Sequence, residues 1–545
     1  MDPYSLSVEK EASKNIEENE RECFKDAIVS SRSLNTGFKE PANLKSATPQ
    51  IAAAVIAASY HITVGLTMAY SAVLIPQLED DPEALPTTEA QRPWLASIVV
   101  LATPIGAIIS GFLMETVGRL KTIQIATIPN TIGWILIALA TNVPMLLVGR
   151  LLTGVAAALG TSPAIVYITE VARPELRGSL VSTGPTLASF GMLIIYVKGA
   201  CFTWRQVSWI CLAWAAIPTI LIQIFSPESP VWLVSKGKLD EAKKALEWLY
   251  RLEPKQGKYT AAEVQYNTII KEREIKLSEQ RRSNQGNTSA KVQAFLKPTG
   301  WKPMCILFFF FLFQQFSGIY ITLFYAVNWF RDSGADMNPY TASILVGATR
   351  LSCSMVNTWL LRRYKRRVLC ILSALGMAVC MGVSGYFTLQ ISNGDKSGSL
   401  VPVICLLLYV CTSMIGMLTI PWTMTAELFP TEIRGIAHSV SYGMANFLMF
   451  VAVQSYYFLL ASMGGGHGLQ WFFAGVSIAA AVFVYIMVPE THGKKLSEIE
   501  EYFQNHFVAI GAESKIRKRK TKKRTEQKAK TPAAEPLNPK QKETV

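Results

Sequence analysis

TEVARPELRG (Thr169–Gly178) returns 257 residues later as AELFPTEIRG (Ala426–Gly435). In each copy a glutamate precedes an Arg-Gly pair by seven residues: Glu170 and Arg177 in the first, Glu427 and Arg434 in the second. Each copy follows a long apolar run. A second pair obeys the same order, PESPVWL at Pro227–Leu233 and PETHGKKL at Pro489–Leu496. A chain that repeats itself this way, with apolar runs between the copies, predicts two related membrane halves. Carriers that hold a substrate between repeats are commonly built so.

The 545 residues are 50% hydrophobic, with a mean hydropathy of +0.26. The apolar residues come in twelve blocks, at 51–76, 94–114, 121–142, 144–168, 180–200, 206–225, 303–329, 340–361, 367–391, 401–424, 436–461 and 470–488. Each is long enough to cross a bilayer, which takes ~20 apolar residues. Six precede the polar stretch 226–302 and six follow it. The expected fold is an all-α membrane protein of twelve transmembrane helices in two pseudo-symmetric halves, 51–225 and 303–488. A disordered tail (1–50), a helical linker (226–302) and a basic tail (489–545) flank them. Within the linker Leu239, Ala242, Leu246 and Leu249 recur at helical spacing, predicting amphipathic helices beneath the bundle.

Lys and Arg set the orientation. They gather after even-numbered blocks, as at Arg119, Lys121, Arg173, Arg177, Arg362–Arg367 (RRYKRR) and Arg434. The first odd connection, Gln77–Pro93, is acidic instead (EDDPE, Glu79–Glu83). Both termini are therefore expected in the cytoplasm, with plasma membrane as the default address. The net charge of +14 sits largely in these loops and in KIRKRKTKKR (Lys515–Arg524), where it orients the chain and meets anionic lipid rather than nucleic acid. No cleavable signal peptide is read. All nine cysteines but Cys23 fall in or beside apolar blocks, without metal-ligand spacing, and are expected as packing residues. The sequon Asn287–Ser289 falls on the cytoplasmic side and should be unused. Nothing demands oligomerisation, so a monomer is expected. There is no nucleotide loop, metal cluster or nucleophile triad, so neither enzymatic chemistry nor a cofactor is expected.

The charged motifs gather at the cytoplasmic ends of helices, where a guanidinium fork grips a carboxylate with two hydrogen bonds. Arg119, Glu170, Arg177, Arg366, Glu427 and Arg434 are the candidates for bridges between the halves that hold the cytoplasmic face shut. The alternative is topology signal plus helix capping; the duplicated spacing favours gating.

The chain resembles the sugar porters of the major facilitator superfamily over about 50–500. Gly111–Lys121 (GFLMETVGRLK), Gly149-Arg150, Tyr167–Gly178, Pro227–Leu233, Gln314–Gly318 (QQFSG), Ile420–Glu427 (IPWTMTAE) and Pro489–Leu496 resemble that family's motifs, in its order. Within it, SPAIVYITEVARPELRGSL is most like the facilitated trehalose transporters of insects. The resemblance implies a sugar held near the midplane, with Gln314 and Gln315 as amide ligands, Trp422 as the aromatic platform and Tyr325 as an outer gate. Departures stand beside it. Pro185 replaces an amide, Tyr320 an asparagine, and Arg350 an asparagine of helix 8; Asn446 matches a helix 11 amide only with a one-residue slip. Tyr320 is either a packing residue or an aromatic contact that narrows the pocket. Arg350 has three readings: a hydrogen-bond donor to a sugar, a selector of anions, or a side chain snorkelling to an interface. Proton-coupled relatives carry an Asp in helix 1 where this chain has Thr67, so a uniporter is expected, His61 being the one titratable group there. Arg362 and Lys365 replace an acidic residue and a glycine, predicting a cytoplasmic gate that is weaker or paired differently. The leading expectation is facilitative transport of a neutral sugar, trehalose or a hexose such as glucose. The alternatives are a carrier for another polar or anionic solute, and a non-transporting sugar sensor.

Overall fold

The computed structural model describes residues 45–83, 85–253, 260–283, 295–332, 334, 337–395, 398–430, 433–491, 494 and 496–505. Residues 1–44 of the expected disordered tail, Cys23, the sequon and KIRKRKTKKR lie outside the described residues; the tail's last residues, 45–50, are described, and Thr48–Gln50 open the first membrane helix, with Pro49 and Gln50 buried. Among the described residues eleven helices are long and apolar enough to span a membrane. They are α1 (Thr48–Asp80), α2 (Arg92–Thr116), α4 (Val143–Val171), α5 (Pro174–Gly199), α6 (Trp204–Phe225), α7 (Pro298–Phe324), α8 (Pro339–Arg363), α9 (Arg366–Ser392), α10 (Val401–Thr425), α11 (Arg434–Gln454) and α12 (Gly466–Met487). The twelfth, α3 (Arg119–Ala138), has 20 residues and buries Thr122 and Asn130 among its apolar side chains. It packs on α4 and α6, completing the first half.

Local sequence starts several of these helices. Asn142 accepts the amide of Met145 at 2.9 Å before α4, and Asn338 that of Tyr340 at 2.9 Å before α8. Thr203 and Gln206 form a capping box on α6. Along α2, Leu101, Ile105, Ile108 and Phe112 recur on one face, and Ile108 is 76% exposed. A stripe of that size is tolerable only against lipid.

The two largest seams between the halves are α2 against α11 and α5 against α8; α1 also meets the end of α7. In a six-plus-six repeat α2 corresponds to α8 and α5 to α11, so the two seams are one contact made twice. The second helix of each half packs on the fifth of the other.

Among the described residues the longest interruptions of membrane helices are in α7 and α10; α1 and α5 show only brief ones, at Ser59–Tyr60, Tyr70 and Ser182. α7 loses regularity between Phe316 and Ile321 around Gly318, whose φ of +93° favours glycine and whose added Cβ would lie 2.6 Å from the Phe473 ring. α10 is broken between Ile415 and Ile420; a Cβ on Gly416 would sit 2.6 Å from the Leu369 carbonyl. Backbone groups freed inside a bilayer need partners from the protein itself.

In the linker, helices Leu239–Tyr250 and Ala261–Ser283 pack together. The structure buries Ala242, Ala245, Leu246 and Leu249; Leu239, expected on that face, is 41% exposed because it opens the helix beyond the packed turn. The eight described cysteines are free thiols, with the Sγ atoms of Cys353 and Cys411 3.2 Å apart between α8 and α10.

Candidate functional site

At the linker end the two halves build the same cluster twice. The backbone amides of Arg119 and Leu120, opening α3, donate to the Glu228 carboxylate at 3.1 Å. Those of Arg366 and Arg367, opening α9, donate to Glu490 at 3.1 and 3.2 Å. A carboxylate there satisfies orphan donors and complements the helix dipole. The same two arginines then pair with the glutamates of the first repeat. Arg119 Nε and Nη2 grip Glu170 at 3.1 and 3.0 Å, and Arg366 forms an ion pair with Glu427. Ser229 also donates to Glu170, and Arg366 Nη1 lies 3.4 Å from Thr491 Oγ1.

Glu170 takes Arg119, and Arg177, seven residues further on, lies exposed in the first turn of α5. The Arg434 side chain lies outside the described residues. The expected bridges between halves are here bonds within each half, because α3 begins beside the end of α4 and α9 beside the end of α10. Arg173 takes a separate job, pairing with Glu253 of the linker, which also accepts Gln50 Nε2 at 3.2 Å.

At the centre, Gln314 Nε2 donates to the freed carbonyls of Met417 and Leu418 at 2.6 and 2.9 Å, joining the α7 break to the α10 break. Tyr409 Oη donates to Ser317 O at 2.7 Å, and the Met417 amide donates to Ser373 Oγ at 3.0 Å. Gln315 Nε2 donates to Gln314 Oε1 at 3.2 Å, leaving Gln315 Oε1 buried without a partner. Trp422 Nε1 donates to Tyr320 Oη at 3.2 Å, and the Trp422 ring meets Phe311 edge-on at 4.9 Å and Tyr442 at 5.6 Å. Asn446 is committed elsewhere. It accepts Thr103 Oγ1 of the other half at 2.7 Å and donates to Tyr442 O at 2.8 Å. Asn357, which the sequence reading passed over, lies beside the α10 break, with Nδ2 3.3 Å from Thr419 Oγ1 and its Oδ1 buried and unpartnered.

Two arginines lie deep in the bundle. Arg150 is fully buried, and its donors meet neutral acceptors: Leu95 O at 3.0 Å, Thr67 O at 2.8 Å and Ser71 Oγ, with the Tyr70 ring 5.5 Å away. Arg350 has no hydrogen bond among the described residues, and its Nε is buried. The ionisable neighbours that feel its charge are the phenols of Tyr320 and Tyr196.

At the far end the halves are latched. Glu79, ending α1, accepts Asn328 Nδ2 at 2.8 Å, Tyr457 Oη at 3.0 Å and Arg92 Nη1 at 3.2 Å. Asp80 holds Arg331 through two bonds of 2.9 and 2.6 Å. Burial opposes the charge on Arg331, but Asp80 outweighs it and raises its pKa above the usual arginine value. Tyr325 stacks on Tyr456 at 4.2 Å and 15°, over the centre. Orientation is all that EDDPE signals in the sequence; its partners in the other half, Asn328, Arg331 and Tyr457, lie 249, 251 and 378 residues away and carry no signal in spacing.

The chain matches the family described as sugar (and other) transporter over residues 51–503. It is 32% identical over 454 residues to a facilitated trehalose transporter Tret1 of Culex quinquefasciatus, covering 83% of this chain and 85% of that one. It is also 32% identical over 485 residues to one of Apis mellifera ligustica, covering 88% and 93%. Among solved structures, the partially occluded inward-open xylose transporter XylE of E. coli superposes with a TM-score of 0.65 at 20% identity, covering 82% of this chain and 100% of that one. The proton:xylose symporter XylE bound to 6-bromo-6-deoxy-D-glucose superposes at 0.64 and 21% identity, covering 84% and 99%. The duplicated halves, the paired helix breaks and the family match through the membrane region agree, and the chain belongs to the sugar porters of the major facilitator superfamily, multi-pass membrane transporters rather than enzymes.

Proposed function

We propose that this protein is a uniporter for a neutral sugar, trehalose or a hexose, moving it down its gradient by rocking of the two halves about the α7 and α10 breaks. The observation that carries the uncoupled reading is Arg150. A buried cation linked to proton uptake would need a titratable anion beside it; Arg150 is matched by two carbonyls and a hydroxyl. His61 is tied to its own helix, Nδ1 lying 3.0 Å from Ala58 O. The names of the insect relatives favour trehalose as the first sugar to try.

The sugar would lie beside Gln315, Tyr320, Trp422 and Asn357, whose unpartnered Gln315 Oε1 and Asn357 Oδ1 are waiting acceptors. Buried polar atoms left without partners reject analogues that cannot pair them. Gln314 would act by holding the broken helices together. The bonds that join the halves belong to the middle and the far end: Thr186–Ser354, Thr103–Asn446, and the Glu79 and Asp80 latch. We read this as the state closed to the outside and open to the cytoplasm, with the clusters of Arg119 and Arg366 freed from cross-contact. The linker end would be cytoplasmic, the protein a monomer in the plasma membrane. The test is uptake of labelled trehalose and glucose into oocytes at verified surface expression. Saturable uptake of either supports the proposal; none of either overturns it.

A further inference from the structure

We propose that the central site also takes monoanionic sugar acids, uronates and aldonates, with Arg350 as the ligand of their carboxylate. This rests on the carrier reading above and extends its substrate class.

The contrast between the two deep arginines carries the inference. Arg150 and Arg350 occupy helices of opposite halves, both within the membrane bundle. Arg150 has every nitrogen matched by a protein acceptor, as a structural guanidinium does. Arg350 has none matched, although its Nε is shut off from solvent. Snorkelling does not rescue it. It stands midway along α8 (Pro339–Arg363), about 17 Å along the axis from the nearer end at 1.5 Å per residue, beyond the reach of the side chain. No carboxylate is at hand either. Among the described residues the acidic groups of the spans lie at their ends: Glu79 and Asp80 on one side, Glu115, Glu170, Glu175 and Glu427 on the other. The titratable groups facing Arg350 are two phenols, Tyr196 from the first half and Tyr320 from the second.

Those phenols sharpen the chemistry. Tyr320 Oη already accepts from Trp422, so its own proton is free to donate. Tyr196 spends its proton on Leu323 O at 3.1 Å. The wall formed by Arg350 and Tyr320 is thus rich in donors and carries one positive charge that no described acidic group answers. A neutral sugar can accept these hydrogen bonds but leaves the charge in place. A carboxylate accepts the guanidinium fork with both oxygens and neutralises it. The polyol remainder of a sugar acid would then use Gln315, Asn357 and the Trp422 ring as a neutral sugar does. A bound monoanion carried alone is also electrogenic, which a neutral sugar is not.

The experiment uses the full chain, purified in detergent, with D-glucuronate, D-gluconate, D-glucose and trehalose titrated against its melting temperature. Wild type and R350Q are compared, after both are shown monodisperse and cooperatively melting. R350K is the charge-conserving control. Glucuronate or gluconate should raise the melting temperature of the wild type. R350Q should weaken that binding by about 100-fold, R350K by less, and the loss should exceed any loss for glucose. The same protein in liposomes should accumulate glucuronate under an inside-positive potential, about tenfold for each ~59 mV at equilibrium, while glucose equilibrates regardless of potential. No shift with either acid, an equal loss for acid and glucose in R350Q, or acid uptake indifferent to potential would each overturn the inference. Failure of glucose and trehalose uptake would instead strike the carrier reading, because the melting assay for the acids does not depend on it.

Discussion

Gln314 stands out in the sequence because a buried amide in a run of phenylalanines needs a partner. What its sequence neighbours could not reveal is the partner. Its two acceptors are carbonyls over 100 residues away, available only because α10 is interrupted beside them. Gln314→Ala would leave both unpaired, at about 1–3 kcal/mol each. We expect uptake kcat/KM to fall on the order of tenfold or more, with a lower melting temperature in detergent. Gln315→Ala removes a waiting acceptor without orphaning backbone, so it should raise KM while leaving the melting temperature close to wild type. The same logic separates Arg150 from Arg350. Sequence places both in apolar helices; only packing shows that one is answered and the other is not. Arg150→Ala would strand three buried acceptors, and we expect about 3–5 kcal/mol of destabilisation, read as loss of cooperative melting. Asn446 carries the same ambiguity: its amide resembles a ligand, and in this structure both of its ends are taken by Thr103 and Tyr442.

The helices themselves were legible from apolar length, and their order from the repeats. The interruptions in α7 and α10 were not, because glycine is ordinary in membrane helices and neither Gly318 nor Gly416 stands out by spacing. They matter because each sits where close approach excludes a side chain. Gly318→Ala would force a Cβ to within 2.6 Å of Phe473 at a positive φ, and transport should drop far more than for Gly382→Ala, whose added Cβ meets nothing within 4 Å. The PESP and PETH motifs were legible as repeats but not as caps. The structure gives them one job, holding the amides that open α3 and α9. Glu228→Gln and Glu490→Gln should therefore act alike, each weakening its cap by about 0.5–2 kcal/mol. Matched falls in melting temperature would show it; a large effect of one alone would mean the clusters are not equivalent.

For the whole molecule, the two-half architecture could be read before any coordinates, and its conformational state could not. Charge motifs pointed to the cytoplasmic ends as the gate, yet the charges that join the halves here are at the far end. Within that latch the two acids should not count equally. Asp80 and Arg331 are substantially exposed, and such pairs contribute about 0.2–1 kcal/mol. Glu79 is more shielded and accepts three side chains, two of them from the other half. Glu79→Gln should shift the balance toward the outward-open state by about tenfold, and Asp80→Asn by less than about fivefold. Labelling of a cysteine placed in the central site by an impermeant maleimide added outside would read both shifts.

A sugar carrier without a proton in its cycle should ignore a pH gradient. Liposomes given an acid-outside gradient and equal trehalose or glucose on both sides, with internal sugar followed over time, decide this. Internal sugar should stay level with external sugar, while saturable exchange proceeds at a rate unchanged by the gradient. Accumulation inside that collapses when a protonophore is added would contradict a proton-free cycle, and would place a titratable group in the transport path that Arg150 and its neutral partners do not supply.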